Sequence, residues 1–342
     1  MRTNRLIGLA ASAAATVALV GCGASSDTPG TTANPGDADA FPMTIEHALG
    51  TTTIESLPER IATVQWSNHE VPLALGVVPV GMAEASWGDD DGDGVLPWVE
   101  DRLSELGAET PVLFDEADGI DFEAVADTAP DVILASYSGL TEEDYATLSK
   151  IAPVVAYPEV AWGTSYQDMI TLNSKAIGLE DEGEQLNADL RAEVEETLAK
   201  YPEIEGKTIA FSYIDPTDLS EVGFYTTQDT RPGFLKELGF PTPAVVEELS
   251  ATSETFYEAI SSEEVDRMND IDILVTYGDE DTLAALQADP LLSKVRAIAR
   301  GSVVILEDST PLASSANPSP LSIGWGIDEY FALFAEAAAK VE

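Results

Sequence analysis

The stretch PDVILASYSGLTEEDYATLSKIAPVVAY, residues 130–157, decides the fold class of this 342-residue chain. Within it, PDVILAS and APVVAY are apolar, β-branched runs that predict two buried strands. Between them, TEEDYATLSKI opens with Thr141 three residues before Asp144, which is the spacing of a capping box at a helix start. Strand, helix and strand in this order indicate an α/β unit with parallel strands.

The same alternation continues toward the N-terminus. RIATVQ (residues 60–65) and VVPVGM (77–82) predict two further buried strands. PWVEDRLSEL begins with Pro97 and is followed by Gly107, so it carries the start and stop signals of a helix. These segments extend the first α/β unit into a lobe that we bound at residues 41–164.

Toward the C-terminus, a helical segment separates this lobe from a second one. No strand pattern occurs at residues 165–201, where Leu186, Leu190, Val194 and Leu198 form one apolar stripe on a charged helix. Predicted strands follow at residues 207–214, 271–277 and 301–307, and a final helix at 327–342. The sequence therefore predicts two α/β lobes, with mostly parallel sheets, joined by one long helix at 165–201; the second lobe is bounded at residues 202–342.

The N-terminus carries secretion signals. Arg2 and Arg5 precede LIGLAASAAATVALV, an apolar run of signal-peptide length. The run ends in LVGC, which resembles the lipobox of bacterial lipoproteins. That resemblance implies removal of residues 1–21, a lipid on Cys22 and a place on the outer face of the cytoplasmic membrane; an ordinary secretion signal is the alternative. Residues 22–40 are rich in small polar residues and predict a flexible tether.

The charge balance excludes nucleic acid as a partner. The chain has 62 acidic residues and 16 basic ones, for a formal net charge of −46 at pH 7. Such a surface repels polyanions and anionic lipids, so contact with a membrane should depend on the lipid anchor. Cys22 is the only cysteine, which leaves no internal disulfide.

Four segments, in order, resemble landmarks of the iron-siderophore substrate-binding proteins of bacterial ABC importers. They are LPERIATVQWSNHEVPLALGVVPVGM, IDFEAVADTAPDVILAS, DTRPGFLKELGF and LQADPLLSKVRAIARGSVVIL, and the match runs from Thr44 to Ala339. The resemblance implies a monomeric protein that captures a ferric siderophore between its lobes and delivers it to an ABC permease. Iron would be held by the siderophore alone, without a cofactor. A cobalamin or haem carrier on this fold, or a calcium-binding structural or adhesion lipoprotein, are the alternatives.

Aromatic residues near the ends of the predicted strands are candidates for ligand binding. Parallel strands place ligands at their carboxyl ends, here in a cleft facing the other lobe. Aromatic faces supply area, and their N–H and O–H groups donate to the oxygens of a ferric complex. The candidates are Trp66, Trp87, Tyr137, Trp162, Tyr213, Tyr277 and Trp325, the last in a predicted loop before the final helix. The alternative for each is core packing, which we expect for Trp98 and Phe234.

Arg231 is the charged candidate for the same cleft. It stands at the start of a predicted helix, where the helix dipole disfavours a cation, and its fork of donors suits hydroxamate, carboxylate or catecholate oxygens. The resemblance implies a basic ligand contact in this part of the second lobe. The alternative is a surface ion pair with Asp229 or Glu237. The negative surface favours a neutral or cationic ferric hydroxamate over an anionic tris-catecholate.

Two acidic residues are candidates for docking to the permease. The resemblance implies one exposed acid on each lobe, and Glu123 and Glu263 occupy the fitting positions. The structural alternative is that each acid stabilises the first turn of its own helix, an effect of about 0.3–1 kcal/mol.

One loop matches a calcium-binding pattern. In GDDDGDGVLPWVED (residues 88–101), the predicted oxygen ligands are those of Asp89, Asp91, Asp93, the Val95 carbonyl and Glu100. Against an EF-hand, the preceding segment predicts a strand and a loop instead of an entering helix. We therefore expect at most a structural ion in this loop.

Enzymatic function has little support in the sequence. The only histidines, His47 and His69, give no zinc-binding spacing, and no G-x-S-x-G motif occurs. The sole cysteine is assigned to the lipid. We expect a binding protein and no enzyme.

Overall fold

The structure, a computed structural model, describes residues 34–253 and 255–341. It begins with an antiparallel hairpin of β1 (Met43–His47) and β2 (Gly50–Ile54), which the sequence analysis did not predict. The two α/β lobes follow, each built on a five-stranded sheet. The predicted signal peptide and Cys22 lie outside the described residues.

The first sheet is parallel throughout. Its strands are β3 (Ile61–Thr63), β4 (Gly81–Ala83), β5 (Val112–Phe114), β6 (Val132–Ala135) and β7 (Val154–Ala156), arranged in the order β5-β4-β3-β6-β7. Its helices are α1 (Glu70–Ala74), α2 (Pro97–Leu106), α3 (Phe122–Asp127) and α4 (Glu142–Leu148). The capping box predicted at Thr141 and Asp144 is present at the start of α4, with both reciprocal hydrogen bonds.

Two helices form the linking segment, where one was predicted. They are α5 (Tyr166–Ala176) and α6 (Glu180–Leu198). The helix is interrupted at Gly178, whose φ of 73° lies in the left-handed region that glycine adopts readily. Asp37 donates a backbone hydrogen bond to the Gly178 carbonyl, and Asn34 donates to the Ile177 carbonyl, so residues 34–40, predicted as tether, pack on this break.

The second sheet is mixed, which corrects the prediction of a mostly parallel one. Its strands are β8 (Ile209–Tyr213), β9 (Glu221–Tyr225), β10 (Tyr257–Ser261), β11 (Ile273–Gly278) and β12 (Val303–Glu307), in the order β10-β9-β8-β11-β12. β9 pairs antiparallel with both β8 and β10, because β8 returns through a short connection into β9. The pairs β8–β11 and β11–β12 are parallel.

Six helices accompany the second sheet. They are α7 (Thr230–Glu237), α8 (Ala244–Thr252), α9 (Thr282–Ala288), α10 (Arg296–Arg300), α11 (Pro311–Ser315) and α12 (Ser322–Ala338). Short 3-10 turns occur at Ala38–Ala40, Pro202–Ile204, Ser262–Met268 and Leu292–Lys294. None of the helices in the two described ranges is long and apolar enough to cross a membrane.

A single apolar cluster joins the lobes through the linking helices. Ile170 of α5 and Leu190 and Val194 of α6 belong to the same buried cluster as Phe211 and Phe331 of the second lobe. The stripe predicted from Leu186 to Leu198 thus faces this cluster, with Leu190 and Val194 buried and the outer two leucines half-buried. Shared burial of this kind resists large relative motion of the lobes, because opening it exposes apolar area to water.

Candidate ligand-binding site

The strand order places the candidate site. In the first sheet the chain winds outward from β3 in one direction and from β6 in the other, so a crevice opens at the carboxyl ends of these neighbouring strands. Trp66 follows β3 and Tyr137 follows β6. In the second sheet the chain likewise winds outward from β8 in one direction and from β11 in the other. β8 ends at Tyr213, and β11 ends one residue after Tyr277.

Aromatic rings from both lobes meet at these strand ends. The Trp66 and Trp87 rings of the first lobe lie 6.5 Å apart, measured between centroids. Trp87 stands edge-on to Tyr277 of the second lobe at 5.6 Å, and its indole nitrogen donates to Asp308 at 3.3 Å. We call Trp66, Trp87, Tyr277 and Tyr225 the aromatic cluster; Tyr225 adjoins Tyr277 at 6.5 Å. Three of its members were predicted, and the structure brings them together.

Arg231 lies within this cluster and is paired. Its Nε and Nη2 donate to the two carboxylate oxygens of Asp229, each at 2.8 Å, and its Nη1 donates to the Tyr277 hydroxyl at 2.9 Å. The guanidinium also sits 3.8 Å from the centre of the Tyr225 ring. Burial acts to lower the pKa of Arg231, but the charge of Asp229 raises it well above its usual value. The ion pair considered as the alternative is therefore present, and it is buried, since the Asp229 side chain is 1% exposed.

A second pair of rings joins the site to the Arg231 helix. Tyr137 and Trp162 pack edge to face at 5.5 Å. The Tyr137 hydroxyl accepts a hydrogen bond from Asn317 of the second lobe at 2.9 Å, and Asn317 in turn accepts one from Thr230, the residue before Arg231. This chain of contacts bridges the lobes beside the aromatic cluster.

Burial favours the protonated form of two phenols at the site, those of Tyr137 and Tyr225. Burial raises the pKa of Tyr137 to about 12, with a further contribution from the Asp229 charge. Burial also raises the pKa of Tyr225 to about 12, although nearby Arg231 opposes the shift. Neutral phenols donate hydrogen bonds and are poor ligands for a metal ion.

The backbone around Trp66 and at Trp162 is held in an unusual conformation. Gln65, Ser67 and Trp162 have φ values of 62°, 60° and 61°, in the left-handed region that costs non-glycine residues energy. Glu116, which follows β5, holds the first turn by accepting hydrogen bonds from the Gln65 backbone and side-chain nitrogens at 2.9–3.1 Å. Glu116 thus fixes the turn that carries Trp66, while the Trp162 backbone N–H donates to the Ser138 carbonyl at 2.9 Å.

Tyr213 and Trp325 lie outside the aromatic cluster. Tyr213 is 43% exposed at the end of β8. Trp325 lies within α12, where a loop was predicted, and its ring packs on Trp98 at 5.2 Å. Trp98 and Phe234 are 4% and 5% exposed, which confirms that both pack.

A second contact between the lobes lies at the start of α12. The fully buried carboxylate of Glu70, in α1, accepts hydrogen bonds from the Trp98 indole at 2.8 Å and from the Leu321 backbone N–H at 2.9 Å. Burial raises the pKa of Glu70 against the opposing effect of these bonds. The adjacent His69 is also buried, which lowers its pKa to about 4 and keeps its ring neutral. We call these contacts the Glu70 junction.

The acidic loop contains three convergent carboxylates. Oxygens of Asp89, Asp91 and Asp93 lie within 4.8 Å of one another. Burial acts to raise the pKa of Asp89, but backbone N–H bonds from Gly94, Gly92 and Asp91 lower it. Those bonds hold the backbone of the turn from within. Glu100 is exposed on α2, no helix leads into the loop from β4, and calcium binding stays a prediction.

The two docking candidates are exposed, one on each lobe. Glu123 lies in the first turn of α3, and Glu263 lies in the first turn of the 3-10 segment Ser262–Met268. Both side chains are open to solvent. Neighbouring Glu264 instead pairs with Arg267 at 2.8 Å, so Glu263 is the freer acid of the two.

Comparison with known proteins places the chain among binding proteins. A family model described as periplasmic binding protein matches residues 61–310. The probable siderophore-binding lipoprotein YfiY of Bacillus subtilis (strain 168) is 30% identical over 202 residues, which span 58% of this chain and 57% of that protein. The Fe(3+) dicitrate-binding periplasmic protein FecB of Escherichia coli (strain K12) is 28% identical over 280 residues, spanning 79% of this chain and 84% of the relative.

A solved structure is more similar still. PiaA of Streptococcus pneumoniae TIGR4, solved in complex with ferrichrome, is 46% identical. The two structures superpose with a TM-score of 0.84, over 87% of this chain and 99% of that one.

Proposed function

Because the chain belongs to the periplasmic binding protein family, we propose that it captures a ferric siderophore between its lobes and delivers it to an ABC permease. The carrying observation is the aromatic cluster with Arg231 at the lobe boundary, formed by side chains of both lobes. The ferrichrome complex of a relative that is 46% identical supports the same ligand class. The protein acts as a monomer and binds its ligand without transforming it.

Among siderophores, the charge balance favours a ferric hydroxamate. Arg231 uses three of its five N–H groups on Asp229 and Tyr277, which leaves two to donate to ligand oxygens. Asp229 already neutralises the guanidinium charge, so the site offers donors without net positive charge. A neutral tris-hydroxamate complex suits this better than a tris-catecholate, whose negative charges need compensation on burial.

Iron reaches the protein inside the siderophore. Burial favours the protonated phenols of Tyr137 and Tyr225 at neutral pH, which suits them to donate hydrogen bonds to siderophore oxygens. No cofactor is needed, because binding rests on aromatic contact area and hydrogen bonds.

Entry of the ligand requires the rings to separate. A cavity of about 150 Å³ lies beside Asp229, with Gly163 of the first lobe, Gln167 of α5 and Gln228 of the second lobe in its walls. Pockets for small molecules occupy about 300–1,000 Å³. This cavity is smaller than that, and no residue of the aromatic cluster lies in its walls. The shared apolar cluster resists large lobe motion, so we infer that the side chains of the aromatic cluster themselves move to admit the ligand.

The protein works at the outer face of the cytoplasmic membrane. The sequence LVGC supports lipidation at Cys22 after removal of residues 1–21. The name of the relative YfiY, a siderophore-binding lipoprotein, agrees with this location.

A fluorescence titration tests the ligand. We expect saturable quenching of the purified protein by ferrichrome, because the ferric complex settles against Trp66 and Trp87. Iron-free ferrichrome should bind far more weakly, since only the ferric complex has the compact shape. Ferric enterobactin, haem and cobalamin serve as comparison ligands. If haem or cobalamin quenches the fluorescence and no ferric siderophore does, the protein belongs to another ligand class.

A double substitution tests permease docking. Glu123→Ala with Glu263→Ala should leave ferrichrome affinity unchanged, because both side chains are exposed and neither contacts the aromatic cluster. Uptake of labelled ferrichrome by cells should fall at least about tenfold, the effect of losing about 1.4 kcal/mol of docking energy. Exposed Glu59 and Glu247 provide a matched control pair, whose replacement should leave uptake intact. Undiminished uptake in the first variant removes both residues from docking.

A further inference from the structure

Asn68 lies at the centre of the loops that carry two of the site's rings. It is fully buried between Trp66 and α1, in the turn after β3. The backbone ladder between β3 and β6 ends at the pair Thr63 and Leu134, with one further bond from the Val64 N–H to the Leu134 carbonyl. Beyond that point the Asn68 side chain joins the two chain segments.

The donor edge of the Asn68 amide faces three backbone carbonyls. Its Nδ2 donates to Val64 at 2.9 Å and to Tyr137 at 2.8 Å, and it has a longer contact to Trp66 at 3.3 Å. One side-chain nitrogen thus holds the backbone of both ring-bearing residues.

The acceptor edge faces three donors. Oδ1 of Asn68 accepts hydrogen bonds from the Tyr137 backbone N–H at 3.1 Å, the Ser136 hydroxyl at 3.3 Å and the Asn173 amide at 3.2 Å. Ser136 and Asn173 are themselves fully buried. The Asn68 carboxamide therefore clamps Tyr137 by both its N–H and its C=O.

Only an asparagine satisfies this arrangement. An aspartate of the same shape would turn a carboxylate oxygen toward three carbonyl oxygens, and an apolar residue would leave buried N–H and C=O groups without partners. Each buried polar group left without a hydrogen-bond partner destabilises the folded state. The strained turns at Gln65 and Ser67, on either side of Trp66, add to the need for an internal clamp.

We propose that Asn68 is the positioning residue of the ligand site, which sets Trp66 and Tyr137 at their working separation without touching the ligand. The proposal rests on the proposed function for its ligand, and on the hydrogen bonds above for its geometry. It predicts that affinity depends on Asn68 beyond the contribution of this residue to stability.

The test compares Asn68→Asp with Asn173→Ala in the otherwise intact protein. Asn173 is as buried as Asn68, but its removal leaves every Asn68 bond to Trp66 and Tyr137 in place. Well below the unfolding temperature, Asn68→Asp should weaken ferrichrome affinity about tenfold or more, while Asn173→Ala changes it less than about twofold. The near-UV circular dichroism of the ligand-free protein should change in Asn68→Asp alone. If Asn68→Asp does not fold, the milder Asn68→Ser takes its place.

Three outcomes would overturn the proposal. One is wild-type affinity in a folded Asn68 variant. Another is an equal loss of affinity in both variants alongside an equal loss of thermal stability, which would mark general destabilisation. If the wild-type protein binds no ferric siderophore, the proposed function fails and affinity cannot test Asn68. The near-UV spectrum then decides the positioning role. The third overturning outcome is an unchanged near-UV spectrum in the Asn68 variant, whereas a changed spectrum supports the role.

Discussion

Replacement of Asp229 by alanine is expected to lower the free energy of unfolding by about 3–5 kcal/mol, the usual cost of breaking a buried ion pair from one side. The Asp229 side chain is 1% exposed and the Arg231 side chain 14%, so the stranded guanidinium gains little compensating hydration. Asp229 also accepts a hydrogen bond from the Arg231 backbone N–H at 2.9 Å and so caps α7, and this bond is lost too. Urea unfolding followed by far-UV circular dichroism measures the change.

The control for this prediction removes both charges at once. Asp229→Leu combined with Arg231→Met replaces the pair by apolar side chains of similar size, a change that is often neutral or stabilising by about 1–4 kcal/mol. The double variant should therefore recover most of the lost stability but still bind ferrichrome at least about tenfold more weakly, because the Arg231 donors are gone. A single Asp229→Ala variant that loses less than about 1 kcal/mol would contradict the picture of a buried, desolvated pair. A stable double variant with full affinity would remove Arg231 from the ligand site.

Replacement of Glu70 by alanine is expected to cost roughly 2–5 kcal/mol. Two buried donors, the Trp98 indole and the Leu321 backbone N–H, would lose their acceptor, and each such loss costs about 1–3 kcal/mol. Leu321 precedes α12, so the carboxylate also interacts favourably with the positive end of that helix. Thermal unfolding of the variant beside wild type gives the difference.

Glu70→Gln separates the acceptor from the charge. The amide oxygen can keep one of the two hydrogen bonds, so we expect a much smaller loss of stability than in Glu70→Ala.

Burial raises the folded-state pKa of Glu70, so the folded state holds the proton more tightly than the unfolded chain. The Glu70 contribution to stability therefore grows as the pH falls through the folded pKa toward about 4.5. His69 acts in the opposite sense, since its lowered pKa makes stability fall between pH 6.5 and about 4.

The test measures the free energy of unfolding against pH for wild type and for Glu70→Gln and compares the two curves. Subtracting the Glu70→Gln stability curve from the wild-type curve removes the His69 contribution, which both proteins share. The remainder should favour wild type progressively as the pH falls. A flat difference would show that burial does not perturb Glu70.

Most of the parallel strands were predicted from the sequence, although the three-residue β5 was not, and the antiparallel strands β9 and β10 were missed. Buried parallel strands such as β6 and β11 are short continuous apolar runs, which stand out in the sequence. β9 and β10 read EVGFY and YEAIS, with polar and apolar residues mixed, because they lie toward one edge of a mixed sheet. The break at Gly178 was also missed, since an isolated glycine is often tolerated within a helix.

Whether a candidate site residue could be predicted depended on whether its strand was recognised in the sequence. Trp66, Tyr137 and Tyr277 follow or end predicted strands, and this position in the sequence made them candidates. Tyr225 ends β9, and it would have been found by the same rule had that strand been predicted. Asn317 and Asn68 reach the candidate site through side-chain hydrogen bonds to distant parts of the chain, which no local pattern reveals.

Two close pairs of tryptophan side chains allow motions of this protein to be followed by circular dichroism. Indole rings as close as Trp66 and Trp87, or Trp98 and Trp325, share their electronic excitation and produce a coupled circular dichroism signal that depends on their mutual angle. The first pair stands in the cleft, while the second joins α2 of one lobe to α12 of the other. Spectral change confined to the first pair would report side-chain movement around a ligand, because Trp66 and Trp87 belong to the same lobe. Change confined to the second pair would report rotation of one lobe relative to the other. Substitution of Trp325 by phenylalanine silences the second signal and assigns each band to its pair, so one unlabelled sample can distinguish the two motions.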